Sequence, residues 1–550
     1  MPFDLILKKG RIVDGAGNPW YRGDIAIGKG KIAAISRSIG KKAERVIDLG
    51  GLTIAPGFID THSHTDRSIY WNKYGESALK QGITTMATGM CGGSAAPTTE
   101  ELAERMMERL PERRIGWRTF KDFLRKVSEN GLGINIAPFV GHNTIRTIVL
   151  GPEGKGGERT EVTRRELRKM KAYVNEAIKA GAFGLSTGLI YAPGRNATTE
   201  EIMDLCEVVT KYRGLYFTHI RNEGDTLLAA VAEAAEIGRK AGIPVHIAHF
   251  KASGRANWGK IVPALAIVEE ARRSGVDITI DQYPYHRSQV GSLLSRLRLP
   301  GDPSEPEKLL EELRDEEKWA KRREKVLGNF REAERTNEER RRSLKAAGVA
   351  WPYYTGMKNT VIVYSKSHPE YVDKTVVEVA EERGVELVDA IRDLVVEDEG
   401  TTRTAGHMCE DDVRTALKHP LVMVGTDSSS IDGLPESPYA TTHPRSLGSY
   451  PRILGKYVRE ERLLPLEEAI RKMTSYPAQR LRLGDRGLLR PGFWADIVVF
   501  DPETVNEVAT FADPNHYPVG IEYVLVNGVV ALEKGELTKA LAGKVLKRGK

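Results

Sequence analysis

Cysteine is scarce in this chain. Cys91, Cys206 and Cys409 are the only three in 550 residues, and no two form a C-x-x-C pair. That excludes a disulfide framework and fits a reducing compartment, with the cytoplasm as the expected location. Long apolar runs are missing as well: none reaches the length that crosses a bilayer, so no membrane partner is expected. The first residues, Met1-Pro2-Phe3-Asp4-Leu5-Ile6-Leu7-Lys8-Lys9, put their basic pair after the short apolar run, the reverse of a secretion signal. A block of one charge is absent too. The formal net charge is +7, but Lys and Arg are interleaved with Glu, which argues for a solvated, ion-pair-rich surface and against nucleic-acid binding. The same Glu, Lys and Arg richness fits a heat-adapted source. No repeat with a period of about 20–50 residues occurs, so solenoids and propellers are excluded.

What is present is a soluble, globular composition, 40% hydrophobic and 29% charged, on a chain too long for one ordinary core. Residues 4–54 read as short β segments (Asp4–Lys8, Arg11–Val13, Asp24–Ile27, Lys31–Ile35, Val46–Asp48, Thr53–Ile54) punctuated by Gly and Asp. The texture returns at Ala495–Phe500, Glu522–Val526 and Val529–Leu532, the last two joined by the Asn527-Gly528 turn. Between these ends, apolar strands alternate with amphipathic helices. The strands are Phe58–His62, Thr84–Cys91, Ile134–Gly141, Gly184–Leu189, Tyr216–Ile220, Val245–Phe250, Asp277–Gln282 and Val422–Asp427. Helical patterns such as Arg164–Ala180, Thr199–Tyr212, Thr226–Ala241 and Ile261–Ser274 lie between them. Eight strands with helical crossovers predict an α/β fold, a (β/α)8 TIM-type barrel, with a small β-sandwich built from both termini. The expected division is 1–55 and 481–550 for the sandwich and 56–480 for the barrel. A charged helical insertion at about 286–356 separates the seventh strand from the eighth; its densest part, 302–348, lacks sustained heptads and is read as a lid or solvated insertion.

The run Ala55-Pro56-Gly57-Phe58-Ile59-Asp60-Thr61-His62-Ser63-His64 carries the strongest chemical signal. Positions i and i+2 of a strand share a face, so His62 and His64 can converge on one metal ion at the strand's C-terminal end. Barrel active sites collect residues from such ends. Cys91 ends the second strand, His219 lies near the end of the fifth, His249 near the end of the sixth, and Asp427 ends the eighth. Alone, a His is more often a satisfied core group and a Cys a small hydrophobe. Six metal-capable side chains on one barrel face point jointly to metal binding. His142, at the end of the third strand, is read as a pocket residue and not as a ligand. Asp60 and Glu223 are read as hydrogen-bond partners of the histidines. Cys206 and Cys409 are assigned no metal.

The segment Pro56–His64 resembles the opening motif of the amidohydrolase superfamily. The fuller set resembles one branch, the N-acyl-D-amino-acid deacylases (D-aminoacylases). It comprises Gly82-Ile83-Thr84-Thr85, Gly89-Met90-Cys91-Gly92, Gly184-Leu185-Ser186-Thr187-Gly188-Leu189-Ile190-Tyr191, Thr218-His219-Ile220-Arg221-Asn222-Glu223 and His249-Phe250-Lys251. Asp281-Gln282-Tyr283-Pro284-Tyr285, Thr442-His443-Pro444-Arg445 and the C-terminal Ile521–Gly528 complete it. The resemblance implies a tight zinc site of Cys91, His219 and His249, and a second, weaker divalent position of His62, His64 and Asp427 with Cys91 available to both. A thiolate with two imidazoles suits Zn2+. Related barrels bridge two metals with a carboxylated lysine on strand four; here that strand reads Gly184-Leu185-Ser186-Thr187-Gly188 and offers none.

The expected activity is zinc-dependent hydrolysis of the linear amide of N-acyl-D-amino acids, with D-residue peptides as further substrates. Metal-bound water serves as nucleophile and Asp427 as general base and then acid. Arg445 is the first choice for the product's carboxylate, because its planar fork matches that group, and Lys251 is the second. By resemblance, a lysine at 251 goes with neutral side chains. Tyr191, Tyr283 and Ser288 are candidate contacts to acyl group, carboxylate or oxyanion. The competing expectations are a cyclic-amide hydrolase of the hydantoinase or dihydroorotase type and a non-catalytic metal-binding scaffold. The expected partner is a small molecule, for a monomer or a homo-oligomer.

Overall fold

The computed structural model describes residues 2–107, 115–151, 159–299, 302, 305–346, 360–432 and 443–548. Both chain ends enter one nine-stranded sheet. Phe3–Ile12, Tyr21–Gly28 and Lys31–Ser36 form an antiparallel meander, and Thr53–Pro56 joins it to Ile497–Phe500, Ile521–Val526, Val529–Glu533 and Glu536–Leu537. The two halves meet where Ile54 pairs with Val499. The strand Phe3–Ile12 is long because it bends. Lys9 sits at φ 56, the register shifts there, and the first half pairs with Ala43–Asp48 while the second pairs with Thr53 and Ile54. Such a bulge turns a flat ribbon into the corner of a sandwich. Period two then sorts the side chains. Ile497, Val499 and Leu525 pack with Leu5, Leu7, Ile25 and Ile54 in a terminal core, whereas Val498, Phe500 and Val524 face the barrel and pack with Phe58 and Ile83.

The barrel strands are Phe58–Asp60, Ile83–Thr88, Asn135–Pro138 continued by Val140–Gly141, Gly184–Gly188, Leu215–His219, Val245–Ile247, Ile278–Gln282 and Val422–Val424. All pair in parallel in two runs. Backbone bonds join the runs at both seams. Phe139 N–H donates to Thr88 O and Phe183 N–H to Pro138 O. On the other side Asp427 N–H donates to His62 O and His64 N–H to Ser428 O. This completes the expected (β/α)8 barrel, and the last seam is held by the backbone of candidate ligand residues.

The crossover helices follow local rules. Arg164–Ala180 begins with a Thr163/Glu166 capping box, buries Met170, Val174, Ala177 and Ile178 on one face, and stops at Gly181 with φ 124. Among the described residues no helix is long and apolar enough to cross a membrane.

The segment between the seventh and eighth strands contains the expected charged helices, Pro306–Arg314 and Glu316–Ala346, followed by Val376–Arg383 and Leu387–Glu397. It also contains a three-stranded antiparallel sheet of Arg287–Ser292, Arg403–His407 and Thr360–Tyr364, which is not among the expected elements. These elements share a core of their own, centred on Leu293, Leu309, Trp319, Ile362 and Leu394. The sheet's first strand runs along the barrel mouth.

Candidate metal centre

Six side chains from five strand ends meet at the C-terminal mouth of the barrel. His62 Nε2 lies 3.2 Å from Cys91 Sγ and 3.3 Å from Asp427 Oδ1. Cys91 Sγ lies 3.5 Å from His249 Nε2, and His64 Nε2 lies 3.2 Å from Asp427 Oδ1. They form two overlapping groups, His62–His64–Cys91–Asp427 and Cys91–His219–His249, each with its ligand atoms within 4.8 Å of one another. Two donors on one tetrahedral zinc ion stand about 3.5 Å apart, given bond lengths of about 2.0 Å to nitrogen and 2.3 Å to sulfur.

The backbone is bent to deliver these atoms. Cys91, His249 and Asp427 have φ values of 51, 32 and 50, all in the left-handed region that non-glycine residues avoid. Strain of this kind persists where surrounding packing imposes it, and it collects at working sites. Gly92 lets the Cys91 turn approach the fourth strand: a Cβ there would stand 2.2 Å from Asn143 Oδ1 and 2.5 Å from Gly188 N.

The electrostatics suit a cation. Burial opposes ionisation of Cys91, but the facing His62 and His249 imidazoles outweigh it and hold the thiol well below its ordinary value. Burial likewise opposes the Asp427 carboxylate, and Arg445, His249 and His62 hold it well below the usual range. His219 supplies a further sign. It is 3% exposed, and neither ring nitrogen has a hydrogen-bond partner among the described residues. Such a group is costly to bury unless something else occupies a lone pair.

The substrate-contact candidates surround the cluster. Tyr191, Lys251, Tyr283, Ser288 and Arg445 all line one cavity of about 940 Å3 with Cys91, His219, His249 and Asp427. Arg445 Nη1 donates to Asp427 Oδ2 at 2.7 Å and the guanidinium lies over the Tyr283 ring. Lys251 Nζ donates to Glu223 Oε1 at 2.5 Å and lies 2.8 Å from His249 Nδ1. Tyr191 packs edge-on against His219. Ser288 Oγ accepts from Gly406 N–H, which ties it to the insertion sheet.

Glu223 Oε1 lies 2.8 Å from His249 Nδ1 and so orients that ring. Asp60 instead accepts from the backbone N–H groups of His62 and Thr426 and from the Thr426 hydroxyl, so it braces the turn and not an imidazole. His142 starts a helix, is fully buried and pairs with Glu201 at 2.7 Å; its neighbour Asn143 lines the cavity in its place. Cys206 is in the core, and Cys409 precedes the helix Glu410–Lys418, both away from the cluster. Thr442, in the His-Pro-Arg segment, lies outside the described residues. Asp281 and His246, not among the expected site residues, lie beneath His62: Asp281 Oδ2 is 3.4 Å from His62 Nδ1 and 2.9 Å from His246 Nε2.

Residues 45–532 match a sequence model described as "Amidohydrolase family". Among curated proteins, D-aminoacylase of Alcaligenes xylosoxydans xylosoxydans is 32% identical, covering 100% of this chain and 98% of that protein. N-acyl-D-glutamate deacylase of the same organism is 34% identical, covering 99% and 96%. Among solved structures, N-acyl-D-glutamate deacylase of Bordetella bronchiseptica, complexed with zinc and a phosphonate mimic of the tetrahedral intermediate, superposes with a TM-score of 0.74. It is 32% identical and covers 100% of both chains.

Proposed function

The chain belongs to the amidohydrolase family, and from that membership we propose that it hydrolyses the linear amide of N-acyl-D-amino acids to a carboxylate and a free D-amino acid. Cys91, His219 and His249 hold a zinc ion, and His62, His64 and Asp427 serve a second divalent position. The observation that carries the reading is the convergence of the Cys91 sulfur with His62 Nε2 and His249 Nε2 at 3.2 and 3.5 Å. Full-length relatives named for deacylation of D-amino-acid derivatives support it. The donor set and the unpartnered His219 ring fit the ion. When bound, zinc supplies a Lewis acid for the amide carbonyl and acidifies water for attack near neutral pH.

The chain's own groups do the rest. Asp427, ionised and aimed between His62 and His64, takes the proton of the attacking water and delivers it to the leaving nitrogen. Arg445 and Lys251 face the same cavity and hold the substrate carboxylate. Tyr191, Tyr283 and Ser288 complete the wall around acyl group and carboxylate. The protein works in a reducing cytoplasm, in keeping with its three free cysteines.

Ring opening of a cyclic amide is the competing chemistry. The fourth strand, Gly184–Gly188, carries no lysine to form a carbamate bridge, and Cys91 lies in both ligand groups. A non-catalytic scaffold would be free to lose ligands, yet all six positions carry competent side chains. The deciding experiment is a panel of N-acetyl-D- and N-acetyl-L-amino acids with a hydantoin, given to the zinc-loaded protein. Hydrolysis of the D-series alone is expected; ring opening without D-series hydrolysis overturns the proposal.

A further inference from the structure

Asp281 lies on the seventh barrel strand, Ile278–Gln282, directly beneath the ligand cluster, and is fully buried. Its two oxygens serve both ligand groups. Oδ1 accepts the His249 backbone N–H at 2.7 Å. Oδ2 faces His62 Nδ1 at 3.4 Å and His246 Nε2 at 2.9 Å. The His62 contact is long for a hydrogen bond, but no other partner stands beside that buried nitrogen among the described residues. His246 is itself braced, with Nδ1 2.7 Å from Thr279 Oγ1 and its ring stacked on Phe217 at 4.3 Å. Gly425 closes the remaining side: a Cβ there would sit 2.8 Å from His62 Cβ and 3.1 Å from Asp281 Oδ1.

A neutral imidazole offers a lone pair on one nitrogen only when its proton sits on the other. His62 Nε2 faces Cys91 and Asp427, so ligation there requires the proton on Nδ1, pointing at Asp281. We infer that Asp281, braced by His246, is a positioning residue that fixes His62 in the tautomer able to ligate and ties that position to the His249 turn. The inference rests on the metal-binding reading above. It gives the buried His246–Asp281 pair a purpose that the reaction chemistry leaves unexplained.

Asp281→Asn tests it with little change of shape. The amide oxygen can still accept from His249 N–H while the NH2 faces His62 Nδ1 and His246 Nε2. That donor favours His62 protonated on Nε2, which closes the nitrogen to a metal. The opposite flip sets NH2 against the His249 N–H, donor to donor. The experiment is a zinc titration of metal-free full-length protein against a chromophoric chelator, for wild type, D281N and Thr279→Val, with circular dichroism of each metal-free form. D281N is expected to weaken zinc at the position served by His62 by about 10–100-fold and to leave the Cys91–His219–His249 position within about threefold. T279V, which loosens only His246, gives a smaller loss at the same position. D281N with wild-type stoichiometry and affinities overturns the inference, whether the stoichiometry is one or two. Equal losses at both positions also overturn it, marking a general structural defect. Should D281N fail to fold, T279V decides, and wild-type affinities in it overturn the inference. Wild-type protein that binds no zinc sinks the metal reading itself, a separate outcome.

Discussion

Arg445 Nη1 reaches Asp427 Oδ2 at 2.7 Å, so the arginine proposed to hold the substrate carboxylate is already paired with the proposed base. Arg445 is 6% exposed and can serve both anions only from one fixed place. Burial pushes the Asp427 carboxyl up, and Arg445 is the first of the charges that pull it down past its ordinary value. Arg445→Met therefore has two expected effects. The KM for an N-acyl-D-amino acid rises by about tenfold or more, the scale of a lost charge-assisted bond. The acid limb of the kcat/KM profile shifts to higher pH, because Asp427 is now protonated more easily. A carboxamide analogue of the substrate separates the roles: it should be turned over with similar KM by wild type and variant. If the analogue suffers the same KM rise, Arg445 does not hold the carboxylate.

Asp427 belongs to the His62–His64–Cys91 group and not to the Cys91–His219–His249 group. Asp427→Ala is expected to keep one zinc equivalent on the latter while kcat falls by about 10²–10⁴-fold, the range for loss of a general acid–base group. Metal analysis beside steady-state kinetics checks both halves. Near-normal turnover would remove Asp427 from the proton-transfer role.

Much of this architecture was legible in the sequence because short apolar runs alternate with long helical patterns. Runs such as Ile497–Phe500 and Val422–Val424 mark strands, the one-sided burial of Arg164–Ala180 follows a helical period, and Gly181 and Gly242 stop helices in register. The ligand types were legible because His, Cys and Asp stand at strand ends, where a barrel gathers them. What stayed hidden depends on tertiary distance. Asp60 and Asp281 are both buried aspartates on barrel strands, yet only Asp281 faces an imidazole ring, and nothing in either local sequence says so. The sheet of Arg287–Ser292 and Arg403–His407 joins segments more than a hundred residues apart, so no local pattern announces the pairing. The left-handed turns at Cys91, His249 and Asp427 were invisible for a related reason: packing imposes them against residue preference.

Cys91 is the one residue shared by both ligand groups. Cys91→Ala is expected to lower zinc affinity more than any single histidine change, because it strips the thiolate from both positions. Cys206→Ala is the control, since that thiol is buried in the core away from the cluster. Zinc per chain after exhaustive dialysis is the measurement. Unchanged stoichiometry in C91A would take Cys91 out of the centre.

Glu223, itself 8% exposed, joins Lys251 Nζ at 2.5 Å to His249 Nδ1 at 2.8 Å. Burial pushes its carboxyl up, but the Lys251, His219 and His249 charges prevail and hold it well below the usual glutamate range. A carboxyl depressed in the folded state contributes stability that is complete above the unfolded value of about 4.3 and is lost as pH falls through the folded value. Glu223→Gln removes that contribution and leaves Lys251 without its anion, at a cost of about 3 kcal/mol near neutral pH. The metal-free variant should therefore melt below wild type at pH 7, and the gap should narrow as both are acidified below pH 4.3, since wild type then loses what the variant never had. Melting temperatures of the two proteins across that range are the check. A constant gap would mean that Glu223 acts through shape alone, and that the ion pair beneath His249 contributes nothing as a charge.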